Sequence, residues 1–419
     1  MTRNWQKYKL SDLIKVKHGF AFKGEFFSEE PTNDILLTPG NFKIGGGFKT
    51  DKFKYYNGHV PTDYILKEND ILITMTDLSK AGDTLGYAAK IPSHSDIRYL
   101  HNQRLGLVQF KNDNVDKDYL YWLLRTSEYQ YYILGSATGS TVKHTSPSRI
   151  EDYEFYAPSD LSEQKRIADI LSSLDDKIEL NNQMNQTLES MAQAIFKEWF
   201  VDFKFPGFDG ELVDGLPKKW SHSFLGEFTK MISKGTTPTA KEVEGLKKEI
   251  KFLKVKDISQ DGLIDYSSLE RIPTVVHNGR LKRSILFVND ILFSIAGTIG
   301  RVAILPKKLE NSNCNQALSF IRLNDFKYLE YIHQNLLSEK IQSDVLTKVV
   351  QGVQANVSLT VLSNLYILKP SEEVLENWHS TIRPIYNRIQ SLNEENENIK
   401  ELRDSLLPKL MSGKIEVNQ

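Results

Sequence analysis

Two stretches of the chain carry apolar residues in alternating steps of four and three. In the first, Ile167, Leu171, Leu174, Ile178, Asn181, Asn185, Leu188, Ala192, Ile195 and Trp199 keep that rhythm through a run free of Gly and Pro. In the second, Trp378, Ile382, Ile385, Ile389, Leu392, Asn396, Ile399, Leu406 and Leu410 repeat it at an offset of 211. Steps averaging 3.5 residues return to one face of an α-helix and make a coiled-coil seam. The pattern predicts long helices over 161–202, with Ser162 as N-cap, and over 371–413. Where strict spacing selects Arg403, Leu402 is expected to fill the seam instead. A helix of ~39 residues is about 58 Å long at 1.5 Å per residue, too long for one small domain to cover. The two helices are therefore expected to pair with each other, antiparallel, with Asn185 and Asn396 as equivalent polar seam positions that favour one register.

Outside these helices the pattern changes. LKENDILITM (66–75) and LFVNDILFSI (286–295) are short apolar, β-branched runs with an Asn-Asp turn just inside, which reads as strand. PGNFKIGGGF (39–48) reads as turn. One helical stretch is expected late in each half, over 116–134 and 326–346. The fold class is therefore α+β.

The chain is written twice. Trp5 and Trp220 open similar segments, and NDILITM (69–75) matches NDILFSI (289–295). YAAKIP (87–92) matches RVAILP (301–306). Asn102-Gln103 echoes Asn315-Gln316, Gly139 echoes Gly352, and EDYEFYAP (151–158) echoes SNLYILKP (363–370). The offsets are 215, 220, 214, 213, 213 and 212, in the same order. Solenoid repeats run roughly 20–50 residues, so this is duplication of a whole domain with its connector. The expected division is 1–160 and 206–370 as two similar domains, with 161–205 and 371–419 as the helices that follow them. An antiparallel helix pair would put the two domains at opposite ends of a rod.

Composition and charge add little until they are localised. Net charge is −1, but residues 218–310 hold 17 Lys+Arg against 10 Asp+Glu, an excess of seven, and 371–419 hold 6 against 9. The lone Cys314 excludes internal disulfides and multi-cysteine zinc sites, and a packed thiol is expected there. The opening MTRNWQKYKL carries no secretory pattern, and no run of 18 apolar residues marks a membrane span. A cytoplasmic location is expected. The chain lacks a phosphate loop, a dinucleotide fingerprint, an Asn-Pro-Pro-Tyr methyltransferase motif, a His-Glu-x-x-His zinc motif and a nucleophile elbow. Its nine histidines show no metal-ligand spacing. No catalytic residue and no metal ligand is assigned.

SEQKRIADILSSLDDKIELNNQMNQTLESMAQAIFKEWFVDF (162–203) resembles the central conserved region of type I restriction–modification specificity subunits. LRDSLLPKLMSGKIEV (402–417) resembles their C-terminal conserved end, and GSTVKHTSPSRIEDYEFYAPS the end of their target recognition domain. The second copy departs, with Glu372-Glu373-Val374-Leu375 where the first has Ser-Glu-Gln. The resemblance implies a non-catalytic subunit whose two recognition domains each read half of a split double-stranded DNA target. It implies helices that set the gap and dock methyltransferase subunits, two in number. S-adenosylmethionine, ATP and Mg then belong to partner subunits, including an ATP-dependent restriction and translocation subunit.

Reading base edges needs forked donors and acceptors. The residues expected to contact DNA are Asn41, Lys43, Ser79, Lys80, Lys143, His144, Ser146 and Arg149 in the first domain. In the second they are Lys254, Lys256, Thr298, Arg301, Gln351, Gln354 and Asn356. Arg104, beside Gln103, reads equally as a structural charge. Trp5 and Trp220 read as packed. Two other classes are weighed: a self-contained methyltransferase or nuclease, for which the repeat leaves no room, and an interaction scaffold with no DNA role, which predicts no salt-dependent duplex affinity.

Overall fold

The computed structural model describes residues 4–50, 52–79, 81–93, 96–266, 269–349 and 355–417. The chain forms two compact units, Met1–Glu179 with Asn398–Gln419, and Leu180–Glu397.

In the first unit the apolar runs form a four-stranded sheet of β1 (Ile14–His18), β2 (Ile71–Thr74), β3 (Ala88–Lys90) and β4 (Leu105–Phe110), in the order β1-β4-β2-β3. In the second, β5 (Thr229–Lys234), β6 (Ile291–Ser294), β7 (Val302–Ile304) and β8 (Leu318–Leu323) take the order β5-β8-β6-β7. The topology is therefore duplicated along with the sequence. Both Asn-Asp turns form alike. Asn69 and Asn289 take left-handed backbones, φ 64° and 68°, which Asn tolerates better than most residues. Asp70 and Asp290 then accept the Lys67 and Phe287 N–H groups, each at 2.8 Å. The strand Trp5–Lys9 pairs antiparallel with Glu154–Pro158, as Ser221–Phe224 does with Tyr366–Lys369.

The single late helix expected in each half is two helices. Lys117–Leu123 gives way to Ser127–Gly135, and Leu329–Leu337 to Glu339–Thr347. At each break a hydroxyl caps the new helix: Thr126 accepts the Tyr129 N–H, and Ser338 the Ile341 N–H. These residues compete with the backbone for its own hydrogen bonds and so favour helix starts over interiors.

The long helices are α1 (Leu161–Phe196), prolonged by a π turn over Lys197–Val201, and α2 (Glu372–Met411). The cap of α1 is Asp160 rather than Ser162: its Oδ1 accepts the Ser162 N–H at 2.9 Å. The helices pack antiparallel within each unit. In the first unit Ile167, Ala168 and Leu171 of α1 meet Leu406, Leu407, Leu410 and Met411 of α2, together with the sheet's core. In the second, Ala192, Ile195 and Phe196 meet Trp378, Ile382 and Ile385. Leu174, Ile178, Leu188, Ile389, Leu392 and Ile399 are likewise buried or half-buried. Pairing and packing on the unit's own sheet thus both occur. The seam at 403 differs from expectation. Leu402 is 48% exposed, and Arg403 lies inward, bonding Asp175 at 2.5 Å. Asp175 also holds the buried Arg125 at 2.5 Å. A carboxylate between two guanidiniums makes an arginine the better occupant there.

The polar seam is paired. Asn396 donates to Asn182 at 2.9 Å, and Asn185 donates to Asn393 at 2.7 Å. Adding 211 to Asn182 gives Asn393, and subtracting it from Asn396 gives Asn185, so this is one bond made twice. Asn181 bonds Asn396 as well, at 2.9 Å.

Candidate nucleic-acid interface

Strand register decides which loops meet. In the first unit β1 pairs β4 through His18 and Gly106, and β2 pairs β4 through Thr74 and Leu105. The end of β1, the end of β2 and the start of β4 therefore share one sheet edge. From it leave the segments 19–23, 75–87 and 101–104. A chain of main-chain bonds ties in a fourth segment: Thr145 N–H donates to Met75 O at 3.0 Å, and Met75 N–H to Arg104 O at 2.9 Å. Lys143 pairs with Asp77, and His144 with Thr76.

The second unit repeats the construction. Lys234 pairs with Ser319 and Ser294 with Leu318. Val357 N–H donates to Ile295 O at 2.9 Å, and Ile295 N–H to Ala317 O at 2.8 Å. Asn356 bridges Ala296. His144 and Asn356 thus hold equivalent places, each exposed, and Thr298 is exposed beside the latter.

Several residues chosen for their chemistry already have partners within the protein. Asn41 is 1% exposed. Its Oδ1 accepts from the Thr38 N–H and hydroxyl, and its Nδ2 donates to Lys49 O and Lys52 O. Its equivalent is Asp257, which accepts the Lys254 N–H at 2.8 Å; the match lies there, not at Lys254 or Lys256. Ser79 is a turn residue, its hydroxyl accepting the Gly82 and Asp83 N–H groups at 3.0 Å each. Arg301 directs its guanidinium at Val255 O (3.0 Å) and Ile258 O. Arg149 donates to Ser136 O, and Ser146 caps the helix Pro147–Glu151. Lys254 pairs with Glu270 at 2.5 Å, and Lys256 lies 3.6 Å from the same carboxylate. For the buried Asn41 these bonds offset a burial that would otherwise be costly.

Lys43 keeps an exposed surface, yet desolvation lowers its ammonium below the ordinary 10.5 against the pull of Asp175 and Glu179. It faces the helix pair of its unit and not the sheet edge. Lys80, Gln351 and Gln354 lie outside the described residues, as does Gly352.

Asp77 organises the first unit's longest edge loop. Burial pushes its carboxyl up, but bonds from Thr84 and Ser79 outweigh this and hold it below 3.8. Its oxygens accept from Ser79 N–H at 2.7 Å, Thr84 N–H at 2.5 Å and Thr84 Oγ1 at 2.7 Å, so the carboxylate is occupied by the loop it shapes. Cys314 is fully buried, and burial pushes its thiol up to about 12, as expected of a packed thiol. Trp5 and Trp220 are packed too, Trp220 among Phe200, Phe203 and Phe205.

Residues that composition did not single out stand at the same edge. Gln103, Arg104 and Gln316 are exposed there. The recurring Asn-Gln pair was the sequence signal for the two glutamines, and Arg104 was marked only by its charge beside Gln103. Among the described residues, no group of three or more His, Cys, Asp or Glu stands where it could hold a metal ion, and no helix is long and apolar enough to cross a membrane.

The family model described as type I restriction modification DNA specificity domain matches residues 2–190 and 217–401. The chain is 28% identical over 316 residues to the type I restriction enzyme MjaIX specificity subunit of Methanocaldococcus jannaschii, covering 73% of this chain and 71% of that one. It is 24% identical over 433 residues to the EcoBI specificity subunit of Escherichia coli, covering 98% and 86%. Among solved structures, a type I restriction–modification S subunit from M. genitalium superposes with a TM-score of 0.51 at 15% identity, covering 100% of this chain and 97% of that one. At that identity the likeness speaks for the fold alone.

Proposed function

Since this chain belongs to the type I restriction–modification DNA specificity family, we propose that its two units each read one block of a split double-stranded DNA target. The observation that carries this is the duplicated sheet edge, with matched loops tied together by the same main-chain bonds in each unit. Two reading edges in one chain suit two half-sites.

In this reading His144, Lys143, Thr298 and Asn356 face DNA, and Lys80, Gln351 and Gln354 remain contacts proposed from their side-chain chemistry. The protein is non-catalytic, and its helices dock methyltransferase subunits, two of them. S-adenosylmethionine, ATP and Mg serve those partners and the restriction subunit, and none is held by this chain. Residues 1–160 and 206–370 are the recognition segments, and 161–205 and 371–419 the connectors.

The test maps N6-methyladenine in DNA from cells with and without this gene, its neighbours intact. Loss of methylation at one motif of two short blocks around a fixed gap supports the reading. An unchanged map, together with no sequence preference when purified partners are added, overturns it in favour of the scaffold.

A further inference from the structure

The turn that opens β4, Asn102–Arg104, is fixed at both ends while its side chains stand free. Gln103 N–H donates to Phe20 O at 3.0 Å, and Arg104 O accepts from Met75 at 2.9 Å. Asn102 Oδ1 accepts the Arg104 N–H at 3.1 Å. Gly19 braces the turn from beneath: any Cβ there would strike the Asn102 carbonyl. Neither the Gln103 amide nor the Arg104 guanidinium has a partner among the described residues, and both are exposed.

The second unit builds a similar turn at Asn315–Ala317, anchored at its far end but, among the described residues, without counterparts of the Gln103–Phe20 and Asn102–Arg104 bonds. Gly235 lies under it, where a Cβ would strike the Cys314 carbonyl, and Ala317 O accepts from Ile295. Gln316 is exposed, with Thr237 donating to its Oε1, which leaves its amide N–H groups outward. The one difference of charge is Arg104 against Ala317. In both units the turn is bonded, through Met75 or Ile295, to the segment that carries His144 or Asn356.

We infer that this turn is a base-reading element in each unit, with Gln103 and Gln316 making the shared contact and Arg104 reading a guanine in the first unit's block alone. The inference rests on the two-block reading above. A main chain held at both ends, as in the first unit, presents side chains whose orientation costs little to fix. A guanidinium fork matches the O6 and N7 acceptors of guanine, and an amide matches adenine or a backbone contact, whereas alanine offers no donor.

Methylation maps from cells carrying Arg104→Ala, Arg104→Lys, Gln103→Ala or Gln316→Ala, with the neighbouring genes intact, test this. Arg104→Ala should relax one base position of one block, with discrimination there falling roughly tenfold to a hundredfold. Arg104→Lys keeps the charge without the fork and should not restore it. Gln103→Ala should affect that same block, and Gln316→Ala only the other. Thermal midpoints should stay close to the parent's, since all three side chains are exposed and only Gln316 makes an internal side-chain bond, to Thr237. A parent motif kept by all four variants overturns the inference and leaves the two-block reading standing. Uniform weakening by Arg104→Ala that Arg104→Lys repairs also overturns it, because that marks a phosphate contact. If the parent shows no motif in cells and no sequence preference with purified partners, both readings fall together.

Discussion

At the scale of single residues, the strongest dependence is on Asp175. It lies between Arg125, whose side chain is 3% exposed, and Arg403. Burial raises its carboxyl pKa, and the two guanidiniums outweigh this to hold it below 3.8. Asp175→Asn leaves a buried cation without its counter-ion and should cost about 3 kcal/mol, the low end for breaking a buried pair, in urea denaturation at pH 7. No change in the midpoint would show that Arg125 finds another acceptor. His101 sets a pH dependence. It is fully buried, bonded to Leu105 O at 2.9 Å, and burial lowers its pKa from 6.5 to about 4. The unfolded chain therefore binds a proton between those values that the folded chain refuses. Stability is complete above about pH 6.5 and should fall as pH drops toward 4. His333 is shifted in the same sense. His101→Cys, the residue that the second unit carries at the equivalent position 314, should remove about half of that slope. Residue chemistry alone did not show that Asn41, Ser79, Arg149 and Arg301 have partners within the protein. A sequence displays donors and acceptors without showing which of them the folded chain has already satisfied.

At the scale of elements, the helix seam is decided by its asparagines. Asn396 accepts from Asn181 and donates to Asn182, so Asn396→Leu takes the donor from the half-buried Asn182 and leaves Asn181 only Glu395 as acceptor. Thermal denaturation should show a loss of about 1–3 kcal/mol, the desolvation cost of unsatisfied amides. Replacing Asn181 and Asn396 together by Leu should recover part of it, because two apolar residues of like size meet without stranding each other. A double variant no better than the single one would mean that Asn182 carries the penalty. The seam periodicity was legible in the sequence because burial on one helix face repeats every 3.5 residues. Arg403 was not, because an arginine inside a seam makes sense only once Asp175 is seen opposite it. The helix breaks at Thr126 and Ser338 were missed for a related reason: each apolar run continues across a hydroxyl that caps a new helix.

At the scale of the whole molecule, the duplicated sheet order predicts modular behaviour. Exchanging residues 1–160 for those of a relative should change one block of the methylated motif and leave the other. Duplex affinity of the assembled complex should fall steeply with salt, as phosphate neutralisation by lysine and arginine requires. A flat salt response would point to the scaffold reading.

The amino-acid sequence by itself determined the duplication, the α+β class, the paired helices and the family, since each leaves a periodic or collinear trace that needs no partner to be read. Only the tertiary structure decided which side chains reach the sheet edge. Strand register brings 75–87, 101–104 and 138–146 together across long stretches of chain, and the same folding turned Asn41 and Arg301 inward while leaving Arg104 free. Side-chain availability is a property of the whole hydrogen-bond network, because each buried polar group must find a partner before any is left for a ligand.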